Sequence, residues 1–344
     1  MTENTASLVE EMRRELTAVN IVSFSGGKDS TVVLQLLLEA IRDTGQKLYI
    51  VTADTLMEIP YFQSYVERTK RMVVSHVDTS GINAEVVTVF PKLQDSFWTS
   101  VLGKGYPAAH MGFRWCTGKL KIDPISNFVR SVTKGEEYTA FLGVRRAEST
   151  LRAKIYTRKD YKPHHYAPIL DWTSHDVWEF LLTQPCPWNY SEGHAELVTV
   201  YRYSSDECVY GEKQGVCVGN ARYGCWACPL QKDSQLDMIG FHTGETEKYH
   251  KLRDFKRLLV GAANKTGYRS RIRRNGEVGT GPFLVSVRKY LYEKLKDTEQ
   301  ATGFSLITPK EEGFIRMHWE KDQDIHCHQD RTQLLLWNFE GGAA

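Results

Sequence analysis

The sequence predicts an α/β fold, a parallel sheet with flanking helices, followed by a smaller, mainly helical region that contains cysteines. Three observations carry this expectation. Short β-rich runs alternate with helical patterns through the first half of the 344 residues, the arrangement of a sheet covered by helices on both faces. A glycine-rich turn joins the first strand to the first strongly apolar helix. Beyond Pro185 the alternation stops: residues 186–229 are rich in Cys, Gly, Tyr and Trp, and a basic, helical stretch begins at Glu245.

The elements follow in order. The first 20 residues read as an amphipathic helix without the apolar core of a signal peptide. Residues 20–24 (NIVSF) form a strand, and 31–41 a helix with Val33, Leu34, Leu37, Leu38 and Ile41 on one face. Further strands are expected at 47–53, 84–90 and 138–144, with helices near 61–74 and 123–132. After Pro168, Thr173 caps a helix with Asp176 at its third position, and Val177, Trp178, Leu181 and Leu182 follow at helical spacing. Another helix is expected at 285–295. A boundary near residue 200 divides the chain into a sheet domain, 1–200, and a cysteine-cluster and basic helical domain, 201–344.

Composition narrows the classes. With 41% hydrophobic and 25% charged residues and a mean hydropathy of -0.41, the chain is an ordinary globular protein, neither disordered nor fibrous. No apolar run approaches the ~20 residues that span a bilayer. A cytoplasmic protein with no membrane partner is expected. The 44 Lys and Arg against 42 Asp and Glu leave a net charge of +2, so any basic surface is local. Seven cysteines in a reducing compartment point to metal, cluster or sulfur chemistry rather than disulfides.

The most informative string is Ser25, Gly26, Gly27, Lys28, Asp29, Ser30, between strand and helix. Two glycines let the backbone turn and bring bare amides to an anion, while the helix points its positive end at the same place. Lys28 adds a charge, and Ser25 and Ser30 add hydroxyls. The spacing of a conventional γ-phosphate-cleaving loop is absent. A plain glycine turn accounts for an isolated Gly-Gly, but not for this six-residue string in this setting.

That string resembles the signature of the PP-loop ATP pyrophosphatases, a family that cleaves ATP between the α and β phosphates. The resemblance implies a five-stranded parallel sheet with flanking helices. It implies ATP and Mg²⁺ as ligands, with Ser23, Ser25, Gly26, Gly27, Lys28, Asp29, Ser30, Asp54, Thr55 and Gly143 at the nucleotide. Residues 53–60 (ADTLMEIP), with Asp54, Thr55, Glu58 and Pro60, and residues 143–152 (GVRRAESTLR) are similar to segments of the phosphoadenylylsulfate reductase branch. In the second of these, Gly143, Arg145, Arg146, Glu148, Ser149 and Arg152 follow a GxRxxES pattern. Planar guanidinium groups suit phosphate oxygens. Residues 114–121 (RWCTGKLK), the cysteine cluster, and residues 273–295 and 305–322 narrow the resemblance to the DndC/SspD family of bacterial DNA phosphorothioation. That family implies sulfur replacing a non-bridging oxygen of the DNA backbone, with a cysteine desulfurase and other phosphorothioation proteins as partners. A homo-oligomer is compatible with it.

Cys208, Cys217, Cys225 and Cys228 lie close together, the last two as CWACP. Thiolates repel one another unless a cation or cluster neutralises them, so iron-sulfur or zinc is expected. One CxxC rather than two paired knuckles disfavours zinc, and the resemblance implies a [4Fe-4S] cluster. Cys116, between Arg114 and Lys119, is expected to carry a depressed pKa; a sulfur carrier, a ligand and a core cysteine all stay open for it. Cys186, between two prolines, reads as structural. His326, Cys327 and His328 read as a solvated tail rather than a metal site.

From 251 to 274 there are nine basic residues and one acidic one. Such an array makes a local footprint for DNA, with Arg269, Arg271, Arg273 and Arg274 as contacts. A solvated helix face is the plainer alternative. The expected chemistry is ATP-dependent sulfur insertion, with Lys28, Asp29, Arg145, Arg146 and Cys116 as the catalytic set. The alternatives are a phosphoadenylylsulfate reductase, whose ECGLH-like cysteine has no counterpart in the closing LLLWNFEGGAA, a tRNA thiolase, and an idle nucleotide-binding scaffold.

Overall fold

Strand β1 (Val19–Ser23) is the middle of a five-stranded, all-parallel sheet in the computed structural model. On one side of it lie β2 (Lys47–Ala53) and then β3 (Ala84–Val89), on the other β4 (Tyr138–Phe141) and then β5 (His165–Tyr166). The structure describes residues 3–110, 112–160, 162–204 and 224–326. Cys208, Cys217, Cys327 and His328 lie outside them. Among the described residues no helix is long and apolar enough to cross a membrane.

Two compact units divide the chain. The first comprises Met1–Asp54, Pro60–Val89 and Pro124–Tyr223, and the second Thr55–Ile59, Phe90–Asp123 and Gly224–Ala344. Unit 1 holds the sheet with α1 (Glu3–Arg14), α2 (Lys28–Ile41) and α3 (Pro60–Ser80). Helix α2 is covered nearly all round: Val32, Val33, Leu34, Leu36, Leu37, Leu38, Ala40 and Ile41 are all buried. That is wider than the single apolar face read from its spacing. Each of its leucines contributes about 1.5–3 kcal/mol on burial. Thr173 caps α7 (Ser174–Thr183) through a reciprocal box with Asp176, as the sequence indicates. Helix α3 runs two turns past the expected end. Strand β5 has two residues, too few to carry a period-2 pattern.

In unit 2 the short helix α4 (Trp115–Thr117) runs into a π-helical turn, Gly118–Ile122, which leads to α5 (Asp123–Thr133) at the start of the next unit 1 segment. Unit 1 also carries α6 (Thr150–Ile155) and α8 (Ala195–Ser204). Unit 2 carries α9 (Asp233–Thr243), α10 (Thr246–Asn264), α11 (Val285–Thr302) and α12 (Pro309–His326). Its core explains why residues 90–123 leave the sheet domain. Trp98, 1% exposed, packs on Trp226 and Phe255 and donates to Leu306 O at 2.7 Å. Trp319 donates to Leu102 O at 2.7 Å. The boundary expected near residue 200 is corrected on this ground. Residue 200 falls inside α8, which belongs to unit 1, and the second unit is assembled from three separated stretches.

Candidate active site

The turn after β1 is built from unit 1 alone. Gly26 sits at φ +74°, and a Cβ there would meet Val66 Cγ2 at 2.6 Å, so glycine is required twice over. Gly27 is the N-cap of α2 and brings no side-chain cap. The serines brace the turn: Ser25 N donates to Ser30 Oγ at 3.2 Å, and Ser30 Oγ donates to Gly27 O at 2.9 Å. Amides and hydroxyls thus converge at the positive end of a 14-residue helix, a site chemically suited to phosphate.

Lys28 is 5% exposed rather than a mobile surface charge. Its ammonium lies 5.1 Å from the centroid of the Tyr201 ring and 4.0 Å from Asp29 Oδ2, and its backbone N–H donates to Tyr201 Oη at 3.1 Å. Tyr201 stands on α8, 173 residues away. No local pattern marks it.

The GxRxxES element closes on the same turn. A Cβ on Gly143 would stand 2.9 Å from the carbonyl carbon of Asp29 and 2.9 Å from Ser30 N, so the segment after β4 crosses the first turn of α2 at a distance only glycine permits. Arg145, 4% exposed, donates from Nε to Asp29 Oδ1 at 2.6 Å and from a terminal nitrogen to Trp172 O at 3.4 Å. Glu148 accepts from Arg145 N at 3.2 Å and pairs with Arg152, while Ser149 caps α6. Arg146 is turned elsewhere. Its guanidinium serves Tyr156 O, Thr157 O and Asp171, so of the two arginines expected at the turn Arg145 is the one that meets Asp29. Ser23 ends β1 directly before the turn, and Asp54 follows β2, where Oδ2 accepts from Gln63 at 3.4 Å.

Unit 2 holds Thr55 and the described thiols of the cluster. Thr55 Oγ1 donates to Glu58 Oε1 at 2.7 Å, and Glu58 also accepts from the Thr55 and Met57 amides. Residues 57–59 pair with the CWACP segment: Trp226 N donates to Met57 O at 2.9 Å and Ile59 N to Gly224 O at 3.3 Å. Cys225 and Cys228 bound a turn in which Cys228 N donates to Cys225 O at 3.0 Å. Burial first, then the Cys228 sulfur, push the Cys225 thiol well above its ordinary value, with Glu58 and Cys116 adding to the rise. Burial and Cys228 likewise raise Cys116. The depressed pKa expected for Cys116 is therefore reversed. Arg114 pulls the other way but is outweighed, and Lys119 is drawn to Asp95 Oδ1 at 2.5 Å.

Cys116, Cys225 and Cys228 thus share one electrostatic neighbourhood, which the spacing alone leaves open. Thiols gathered in one neighbourhood are donors that a metal or cluster takes up as thiolates, so this set fits such a group. The three sulfurs do not all lie within 4.8 Å of one another; among the described residues the one His, Cys, Asp or Glu trio whose ligand atoms do is the exposed His175, Asp176 and Glu179. Cys186 is buried in unit 1, and burial pushes its thiol up to about 11.

The basic stretch is less open than its composition indicates. On α10, Arg253 pairs with Asp237 and Asp254, Arg257 with Asp233, and the buried Lys256 with Asp233 and Gln231 O. Arg269 donates to Gly281 O at 2.6 Å, and Arg274 donates to Lys104 O at 2.9 Å and pairs with Asp322. Arg271 and Arg273 are exposed. A cleft of about 610 Å³ within unit 2 is bordered by Arg269, Arg273 and Arg274, with Tyr106 and Phe113.

The model of the phosphoadenosine phosphosulfate reductase domain matches residues 19–231, more than half of the chain. The chain belongs to this family. An uncharacterized protein of Methanocaldococcus jannaschii is 27% identical over 240 residues, 69% of this chain and 41% of that relative. A phosphoadenosine 5'-phosphosulfate reductase of Xylella fastidiosa is 24% identical over 185 residues, 52% of this chain and 70% of the relative. The chain spans less than half the length of the first three curated relatives that it matches. Among solved structures, a phosphoadenylyl-sulfate reductase of Candida auris in a phosphate complex overlays with a TM-score of 0.34 at 11% identity, covering 52% of this chain and 78% of that one.

Proposed function

We propose that this reductase-domain protein is an ATP pyrophosphatase that releases AMP and pyrophosphate while activating a DNA backbone phosphate for sulfur insertion. The observation that carries the reading is the joining of Arg145 to Asp29 beside the buried Lys28, at the mouth of a glycine turn. Cations held in place before the reaction stabilise charge that develops at phosphorus.

In this reading Ser25, Gly26, Gly27 and Ser30 seat the polyphosphate, with Ser23, Asp54 and Gly143 framing the nucleotide. Lys28 and Arg145 neutralise the α-phosphate as a DNA phosphate oxygen attacks it; the new O–P bond forms as the bond to pyrophosphate breaks. Asp29 would hold Mg²⁺, which supplies charge neutralisation. A desulfurase-derived persulfide then attacks the activated DNA phosphorus and AMP departs. A thiol reductant cleaves the remaining S–S bond and leaves sulfur on the DNA. Cys225 and Cys228, with Cys208 and Cys217, would hold an iron-sulfur cluster, or zinc in its place. Cys116 stands beside the described pair as a further thiol for ligation or sulfur transfer. Other phosphorothioation proteins would be partners.

The family match and the Xylella relative favour a second reading, reduction of an adenylylated sulfate. The two differ in what is consumed. Pyrophosphate release from ATP, with and without DNA and a desulfurase, tests the first. Lys28→Ala and Asp29→Ala are each expected to abolish it, and undiminished release in both refutes the loop assignment.

A further inference from the structure

Residues 269–283 of unit 2 form a two-stranded antiparallel ribbon, and among the described residues its outer part holds the most exposed apolar side chain of that unit's loops, Val278. Ile272 bridges Val278, with Arg273 N donating to Glu277 O at 2.8 Å and Gly279 N donating to Arg271 O at 2.8 Å. Those flanking bonds make Ile272 and Val278 a directly opposed, non-hydrogen-bonded pair, so both side chains stand on one face of the ribbon. They are 43% and 87% exposed. The tip closes through Asn275 and Gly276, the latter at φ +86°.

The base of the ribbon is held firmly. Phe283 is fully buried, its N–H donates to Gly105 O at 2.8 Å, and Arg269 stacks over its ring at 5.3 Å. Arg274 ties the outer part to Lys104 O and Asp322. Between 271 and 279 the ribbon bears Arg271, Arg273 and Arg274 against one acid, Glu277. Glu277 forms only a surface pair with Arg273 at 3.3 Å, the kind worth about 0–1 kcal/mol and readily exchanged.

We infer that this ribbon enters a groove of duplex DNA, with Arg271 and Arg273 on phosphates and the Ile272–Val278 face against base or sugar edges. The inference rests on the DNA reading proposed above and names the element that would grip the duplex. A two-stranded ribbon fits the major groove, about 12 Å wide, and an excess of arginine matches a polyanion. The apolar pair alone would equally suit a protein partner; the arginines flanking it favour nucleic acid.

The test is binding of the full chain to a labelled duplex across a salt series, without ATP, with melting temperature as the check on folding. Arg271→Ala/Arg273→Ala is expected to weaken binding about tenfold and to lower the salt slope by about one for each phosphate that no longer meets an arginine. Ile272→Ser/Val278→Ser is expected to weaken binding severalfold with the slope unchanged. Should one pair of changes disturb folding, the other still reads the interaction. Wild-type affinity in both variants overturns the inference, as does wild-type protein that ignores duplex DNA. Unchanged DNA affinity together with failure to bind a desulfurase assigns the ribbon to a protein partner and also overturns it. Because ATP is omitted, failure to form AMP would leave this result standing, and failure to bind DNA would leave the ATP reaction standing.

Discussion

The Nε of Arg145 donates to Oδ1 of Asp29 at 2.6 Å, joining two motifs that stand 116 residues apart. The arginine is 4% exposed, so the bond is made where water screens it little. The pair fixes the acid at the start of α2 and presents a cation to whatever the turn holds. Arg145→Ala is expected to lower kcat for AMP formation by about 10²–10³, the loss typical of one preorganised donor. Arg145→Lys keeps the charge but not the planar fork and is expected to recover only part of it. Rapid-quench assays of AMP check both. Full activity in Arg145→Ala would remove the arginine from the site.

Gly143→Ala tests the same junction through the backbone. The added methyl meets the backbone of Asp29 and Ser30 at 2.9 Å, and no flexible side chain is there to yield. The first turn of α2 must shift, which displaces the amides at its start. ATP affinity, read by calorimetry, is expected to fall at least tenfold, with a melting temperature within a few degrees of the parent.

Much of unit 1 is legible because its signals are local. Strand β2 is found residue for residue at 47–53, and the Thr173 cap with Asp176 needs only three residues of context. The six-residue turn falls where its sequence puts it, joining β1 to α2. What escapes is set by tertiary contact. Tyr201 reaches Lys28 across 173 residues, and β5 shows only two residues of pattern. Unit 2 is drawn from three stretches because Trp98 finds its partners at Trp226, Phe255 and Leu306. The charge count over 251–274 misleads for a related reason. Asp233 and Asp237, which neutralise α10, lie before the counted window, on α9.

His194 gives a pH dependence with a definite sign. Burial lowers its pKa from 6.5 to about 4, and Nε2 stands 2.9 Å from Gln35 Oε1. Between pH 6.5 and 4 the unfolded chain binds a proton that the folded chain refuses, so stability falls as the pH drops through that window. The full loss is on the order of 3 kcal/mol. His76 and His318 shift in the same direction, so the wild-type slope is a sum. Urea unfolding of His194→Gln isolates the one contribution: its midpoint is expected to vary less across that window than the parent's. An equal slope in both would mean that His194 is charged when folded.

Arg288 and Asp322 in unit 2 allow a sharper separation of cost from gain. Arg288 is fully buried, Asp322 is 4% exposed, and the two stand 2.8 Å apart as an ion pair. Nε of Arg288 also donates to Phe283 O at 2.8 Å, at the base of the ribbon. Burial pulls the arginine's pKa down and the aspartate partly restores it, so each charge is tolerated because of the other. Arg288→Met is expected to cost about 3–5 kcal/mol, since it strands a buried carboxylate that only the half-exposed Arg274 can still reach, at 3.0 Å. Arg288→Met/Asp322→Asn removes both charges at similar volume and is expected to regain a substantial part of that loss. Chemical denaturation of the two single variants and the double variant closes the cycle. A double variant no more stable than Arg288→Met would place the penalty in the packing and the hydrogen bonds to Phe283 and Gly103 that Arg288 supplies, rather than in an uncompensated charge.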